Sequence, residues 1–228
     1  MLTISEQFYS IQGEGKTAGI PAVFLRLRSC NLLCEWPCDT IEVWKQGEPW
    51  TFENLLSAWE KNGWTDALRK GAHLVITGGE PLLQQDELVK FLALLPHGLL
   101  IEVETNATII PKSELDHYIS LYNVSPKTSN SGLPRERRYI PDTIEYFARN
   151  SKSIFKFVTE SPADVDEILR DFISPFSIIR QRVFLMPQCT DRKGFIEKSG
   201  AIADMCKEYH LNFSPRLQLL LWDKTTGV

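Results

Sequence analysis

The chain has 228 residues, 25 Lys and Arg against 29 Asp and Glu for a net charge of −4, and 43% hydrophobic content. That balance suits one compact globular domain with a full core. It excludes a polyanion binder, because a nucleic-acid groove needs a basic surplus or stripe. No 18-residue apolar run is present, so no membrane span is expected.

The first fifteen residues carry Glu6 and Glu14 and no basic stretch ahead of an apolar one, so no secretory leader is expected and the location reads as cytoplasmic. In a reducing compartment the five cysteines read as metal ligands or catalysts before disulfides. Residues 5–12 do not make a convincing buried strand. Residues 22–28 predict a strand. Thr51 caps a helix running through Lys61, and 73–77 form a short buried strand ended by Gly78-Gly79. A helix follows over 85–95, then strands over 99–104 and 121–124, the second stopped by Pro126. A helix over 142–149, a strand over 153–158, a helix over 162–172, a strand over 182–186 and a long helix over 192–209 complete the alternation. Strands alternating with helices predict an α/β fold with a parallel sheet. About six strands fall short of the eight that close a (β/α) barrel, so the expected form is an open, partial TIM-like barrel. Such sheets place their chemistry in loops at the carboxyl ends of strands, and the chemically unusual residues sit there.

Three of the cysteines fall within nine residues, Cys30-Asn31-Leu32-Leu33-Cys34-Glu35-Trp36-Pro37-Cys38. Thiolates this close let one loop wrap a cubic [4Fe-4S] cluster and leave one iron without a protein ligand. The other reading is a structural zinc site, which wants four protein ligands and would draw on Cys189. Downstream, Gly78-Gly79-Glu80-Pro81 directly follows a strand. Glycines let backbone approach a ligand, and a carboxylate pairs with an ammonium.

The cysteine loop together with Gly-Gly-Glu-Pro resembles the radical S-adenosylmethionine (SAM) enzymes, with Pro37 as a one-residue insertion in the usual loop. Further segments are similar to the 7-carboxy-7-deazaguanine synthases within that superfamily. They are Ser10-Ile11-Gln12-Gly13-Glu14-Gly15, Arg26, Cys38-Asp39-Thr40, and the tail Leu220-Leu221-Trp222 ending in Gly227-Val228. Glu104-Thr105-Asn106, Ser125-Pro126-Lys127, Lys156 and Met186-Pro187-Gln188 fall in order between them.

The resemblance implies one radical-SAM domain over 1–228 with a cluster-binding loop at 29–40. It implies a carbon–nitrogen lyase that converts 6-carboxy-5,6,7,8-tetrahydropterin to 7-carboxy-7-deazaguanine with loss of ammonia, on the route to queuosine-type deazapurines, with SAM used catalytically. Cys30, Cys34 and Cys38 would hold the cluster and Thr40 a Mg²⁺ ion. Gly78, Gly79, Glu80, Thr105, Ser125, Lys127 and Gln188 would contact SAM. Gln12, Gly13, Glu14, Gly15, Arg26 and the terminal Val228 would contact the pterin, Arg26 as a clamp on its carboxylate. No side chain is assigned the chemical step, because the radical arises from SAM. A homodimer is implied, with flavodoxin or ferredoxin as electron donor. Two positions depart from the family: Ser29 stands where Gly is frequent and Gln218 where His is common.

Gly15-Lys16-Thr17 imitates the end of a phosphate-binding loop, but the required earlier glycine is Ser10 and the pattern fails. Two rival functions remain, another radical-SAM enzyme such as a glycyl-radical activase and a non-catalytic zinc-binding interaction module.

Overall fold

The computed structural model describes residues 1–35, 41–225 and 227–228. Cys38 and Thr40, and Pro37 with them, lie outside the described residues. Strands β1 (Leu2–Ile11), β2 (Pro21–Leu27), β3 (Glu48–Trp50), β4 (His73–Gly78), β5 (Ile101–Thr105), β6 (Leu121–Val124), β7 (Ser153–Thr159), β8 (Val183–Pro187) and β9 (Asn212–Phe213) form one sheet in the order β3-β1-β2-β4-β5-β6-β7-β8-β9. From β2 to β9 all neighbours are parallel, and β1 and β3 are antiparallel additions at the edge. No pairing joins β9 back to the β1 side, so the barrel is open.

Side chains alternate across a strand, and here the two faces have opposite chemistry. Val23, Leu25 and Leu27, Leu74 and Ile76, Ile101 and Val103, Tyr122 and Val124, Phe155 and Phe157, and Val183 and Leu185 share one hydrophobic core with Leu55, Trp59, Leu88, Phe91, Phe147, Val165, Phe172 and Ile202. Burying a side chain of this size contributes about 1.5–3 kcal/mol, so this outer face carries most of the fold's stabilisation. The alternate residues Arg26, Thr77, Glu104, Asn123, Lys156 and Met186 face inward onto a single cavity.

β1 switches faces along its length. Ile4 lies opposite Leu27 but Glu6 lies opposite Arg26, a bulge that inserts one residue. Leu2 and Ile4 therefore join the outer core, whereas Glu6, Phe8 and Ser10 point into the cavity. The turn that follows folds into the barrel and becomes its floor. The Gln12 amide donates to the Ile20 carbonyl and the Gly19 amide to the Gln12 carbonyl, at 2.7 Å each. The Gly15 amide donates to Ser214 Oγ at 2.8 Å and the Leu217 amide to the Gly13 carbonyl at 3.0 Å, bridging the gap that β9 leaves open. Gly15 holds φ +68°, a conformation glycine enters without steric cost, and a Cβ there would stand 2.9 Å from Asn123 Oδ1.

Every strand predicted from the sequence is present, with bounds within two residues. The parallel run holds seven strands and not six, because the two-residue β9 continues it beyond β8. Residues 5–11 of the segment set aside above are part of the ten-residue β1, and Gln12 lies just beyond it. The helix expected over 162–172 begins as an α-helix, Pro162–Glu167, and widens into a π-helical turn, Ile168–Ile173. Thr51 caps its helix as predicted, accepting from the Asn54 amide at 3.2 Å. Gly15-Lys16-Thr17 forms a short 3₁₀ turn in the floor, where the Thr17 hydroxyl donates to Glu102 at 2.9 Å. No helix among the described residues is long and apolar enough to cross a membrane.

Candidate active site

The cavity has a volume of about 610 Å³ and lies among the loops that follow the parallel strands. That is the size of a small-molecule or cofactor site, about 300–1,000 Å³.

Its floor is a network of charges. Glu14, at the centre, accepts from Lys156 Nζ at 2.5 Å on one oxygen. Its other oxygen accepts from Arg216 Nε at 2.9 Å and Gln218 Nε2 at 2.7 Å. Lys156 also stands 3.8 Å from Glu104, which accepts from Thr77 Oγ1 at 2.9 Å and Gln12 Nε2 at 3.4 Å. Burial alone would raise the Glu14 pKa, but the Lys156 and Arg216 cations together hold it far below the usual carboxylate range. Burial would likewise lower Lys156, and the Glu14 and Glu104 carboxylates reverse this and raise it. Glu14 and Lys156 are therefore both ionised at neutral pH.

This depressed pKa has a stability consequence of definite sign. The unfolded chain protonates Glu14 near its ordinary value of 4.5, and the folded chain only far below that. The stabilisation is fully present above pH 4.5 and drains away as pH falls toward the folded value. The difference in unfolding free energy between the native chain and Glu14→Gln is expected to be widest above pH 5 and to narrow steadily as pH falls toward 3, read by urea titration at each pH. A gap that stayed constant across that range would remove Glu14 as the titrating group.

Beneath the floor a second polar layer seals the barrel. Glu102 is buried, pairs with His73 Nδ1, and accepts from Thr17 Oγ1 at 2.9 Å and Asn123 Nδ2 at 2.8 Å. Against the wall between β1 and β2, Phe8 and Phe24 stack with ring centroids 4.8 Å apart. Arg26 lies beside them, its Nε on Glu6 Oε1 at 2.7 Å.

The rim carries the cysteine loop. Ser29 has φ +79°, which explains why glycine suits the position before the first cysteine. Its amide donates to the Trp44 carbonyl at 3.0 Å, and its carbonyl accepts from the Glu80 amide at 2.9 Å. Gly79 is required by contact, since a Cβ there would stand 2.4 Å from the Ser29 carbonyl and 2.6 Å from Cys30 Cβ. The Glu35 amide donates to the Ser131 carbonyl at 2.9 Å, and Arg137 Nη2 to the Asn31 carbonyl at 2.7 Å. Lys127 Nζ donates to the Ser125 carbonyl and hydroxyl at 3.1 Å each. That segment is braced from behind by the buried Arg138–Glu167 pair at 2.8 Å. Burial pushes the Cys30 thiol pKa up, opposed by the Leu32 amide that points at its sulfur.

The cavity gathers most of the residues read from the sequence. Gln12, Gly13 and Glu14 lie at its floor and Arg26 on its wall. Cys30, Cys34, Gly78, Gly79, Thr105, Ser125, Lys127 and Gln188 stand round its rim, and Val228 ends at its mouth. Gly15 is behind the floor and does not line it. Glu80 turns away from the cavity. It is wholly buried, accepting from the Asn106 amide at 2.7 Å, the Leu82 amide at 3.0 Å and the Thr105 hydroxyl at 3.0 Å, and burial lifts its pKa to about 7 against those hydrogen bonds. Arg216 and Thr77 belong to the floor and carry no sequence signal of their own, and Glu104, named only as part of the Glu104-Thr105-Asn106 segment, joins them there. Lys156 was noticed there without a direction, and it points inward.

The donor set fits the groups that the resemblance implies. Cys30 and Cys34 open onto the same space as the Gly79 backbone. Among the described residues no three Cys, His, Asp or Glu side chains gather as a metal site, so Cys189 does not join Cys30 and Cys34 in a zinc site. The described cysteines, Cys30, Cys34, Cys189 and Cys206, form no disulfide with one another.

No family model matches the chain. It is 35% identical over 227 residues to the 7-carboxy-7-deazaguanine synthase of Pyrobaculum aerophilum, covering 98% of this chain and 96% of that one. It is 36% identical over 231 residues to the 7-carboxy-7-deazaguanine synthase of Hyperthermus butylicus, covering 97% of this chain and 93% of the other. Among solved structures, QueE from Escherichia coli superposes with a TM-score of 0.67 at 24% identity, covering 93% of this chain and 92% of that one, a likeness of fold.

Proposed function

The chain belongs to the 7-carboxy-7-deazaguanine synthase family, and from that premise we propose that its cavity contracts the ring of 6-carboxy-5,6,7,8-tetrahydropterin to 7-carboxy-7-deazaguanine with release of ammonia. The observation that carries the reading is the stacking of two chemistries in one cavity, a hydrogen-bonding charged floor under a rim of cysteines and glycine backbone.

The chain acts as one radical-SAM domain over 1–228. Cys30, Cys34 and Cys38 would hold a [4Fe-4S] cluster. When bound, cluster and SAM supply the radical chemistry that removes hydrogen from C6 of the pterin. The Gly78-Gly79 backbone, Thr105, Ser125, Lys127 and Gln188 seat SAM. Glu80 serves that seat as a brace, since its carboxylate fixes Thr105 and the Asn106 amide. At the floor, Gln12 and Glu14 face the donor-rich pyrimidine edge of the substrate. Lys156 and Arg216 keep Glu14 ionised, so that it accepts and does not donate. Arg26 clamps the substrate carboxylate, and Phe8 and Phe24 offer a flat wall to the ring system. The second layer at Glu102 and Thr17 keeps bulk water from entering beneath. Mg²⁺ is assigned to Thr40 together with substrate oxygens and water, a ligand set that suits an ion reluctant to shed its waters. A homodimer reduced by flavodoxin or ferredoxin completes the proposal.

An anaerobic assay tests it. Iron- and sulfide-reconstituted protein, SAM, a reductant, Mg²⁺ and 6-carboxy-5,6,7,8-tetrahydropterin are expected to yield 7-carboxy-7-deazaguanine by mass spectrometry without net consumption of SAM. Slow formation of 5′-deoxyadenosine with no deazaguanine would overturn the substrate and favour another radical-SAM activity.

A further inference from the structure

Asn106 follows β5 and is buried beside the cysteine loop, and no step above uses its side chain. It takes part in a closed ring of hydrogen bonds. Asn31 Nδ2 donates to Thr108 Oγ1 at 2.7 Å, Thr108 Oγ1 donates to Asn106 Oδ1 at 2.6 Å, and Asn106 Nδ2 donates back to Asn31 Oδ1 at 2.9 Å. The Thr108 amide also donates to Asn106 Oδ1, at 3.1 Å. That fixes which end of the Asn106 amide is oxygen and which is nitrogen, a choice otherwise open. With one N–H spent on Asn31, the other faces Cys30 Sγ, 3.8 Å from Nδ2. Backbone holds Asn106 in place as well, since its amide donates to the Glu80 carboxylate at 2.7 Å. The Cys30 sulfur also accepts from the Leu32 amide, at 3.4 Å. The Leu32 contact comes from the loop itself. The Asn106 contact comes from the barrel, and the ring keeps it aimed.

We propose that Asn106 is a positioning residue that raises the reduction potential of the cluster by donating an N–H to the Cys30 sulfur. The inference rests on Cys30 being a cluster ligand. Hydrogen bonds to the sulfurs are among the factors that set the potential of an iron–sulfur centre. Reduction adds negative charge to the cluster, and a donor on a ligating sulfur stabilises that charge. Removing it makes the cluster harder to reduce.

The experiment is an anaerobic redox titration of reconstituted protein followed by electron paramagnetic resonance, with iron and sulfide content measured on each sample. Asn106→Ala is expected to hold the same iron and sulfide and to titrate at a more negative midpoint. Asn106→Asp, which sets an anion in place of the donor, is expected to shift further in the same direction. Thr108→Val breaks the ring but leaves the Asn106 donor, and is expected to stay closer to the native midpoint than Asn106→Ala. An unchanged midpoint in Asn106→Ala overturns the proposal, and so does an equal shift in Thr108→Val, which would trace the effect to loop bracing. Loss of the cluster from both Asn106 variants would make the residue one of assembly and overturn it too. A native protein that assembles no cluster would instead remove the reading on which the inference rests.

Discussion

Cys30→Ala abolishes cluster binding and turnover while costing the apo fold no more than about 1 kcal/mol, the central value for a single substitution. Two different links of the chain from sequence to function are involved, and only one depends on the thiol. The loop is positioned by contacts that the substitution leaves alone: Ser29 to Trp44 and Glu80, Asn31 to Thr108 and Arg137, and Glu35 to Ser131. The Cys30 sulfur itself accepts long contacts, at 3.4 Å from Leu32 and 3.8 Å from Asn106. A cluster held by three thiolates has no spare ligand, so losing one exposes iron to solvent and the site empties. Iron and sulfide analysis reads the first effect, the deazaguanine assay the second and thermal unfolding the third. A brown, active Cys30→Ala protein would falsify the cluster assignment, and a protein that did not fold would show the thiol to be structural.

Six of the seven strands of the parallel run, β9 excepted, were legible because their outer faces are continuous apolar patches, and Gly78 and Pro187 mark the ends of β4 and β8. Val23 to Leu27, Leu74 and Ile76, and Phe155 and Phe157 signal burial whatever lies on the other face. β1 was not legible for a physical reason. The bulge between Ile4 and Glu6 reverses its phase midway, so no single alternation runs through it, and Glu6 faces Arg26 in the cavity where an apolar residue would be expected. The rim was legible because three cysteines within nine residues, and Gly78-Gly79-Glu80-Pro81 directly after a strand, stand out from ordinary loop composition. The floor was only half legible. Glu14 and Gln12 drew notice through a family motif, but Arg216 lies 202 residues away from Glu14, in no periodic element, and only the closure of the barrel brings them together. Gln218 gives the same lesson: the sequence marked it as a departure, while the structure gives its amide nitrogen a partner in Glu14 and packs its oxygen against Gly13.

Lys156→Met is expected to destabilise the apo chain by about 3–5 kcal/mol, the range for removing one member of a buried ion pair. Methionine nearly matches the lysine stem in length, so the loss is electrostatic and leaves little cavity. The Lys156 side chain is 5% exposed and serves Glu14 at 2.5 Å and Glu104 at 3.8 Å. Without it, Glu14 keeps Arg216 and Gln218, whereas Glu104 retains only the neutral donors Thr77 and Gln12. The surviving Arg216 argues for the lower end of the range. If 3 kcal/mol of that ordering also supports substrate binding, kcat/KM falls by about 100-fold, because each 1.36 kcal/mol is a factor of ten. Adding Glu14→Gln to Lys156→Met should cost less than the sum of the two single changes, since the Lys156–Glu14 pair that each of them breaks can be lost only once. Urea denaturation of the native chain, both single variants and the double variant closes this cycle. Additive losses would mean that Lys156 and Glu14 act independently, and the charged floor would then have to be described as separate contacts and not as one coupled device.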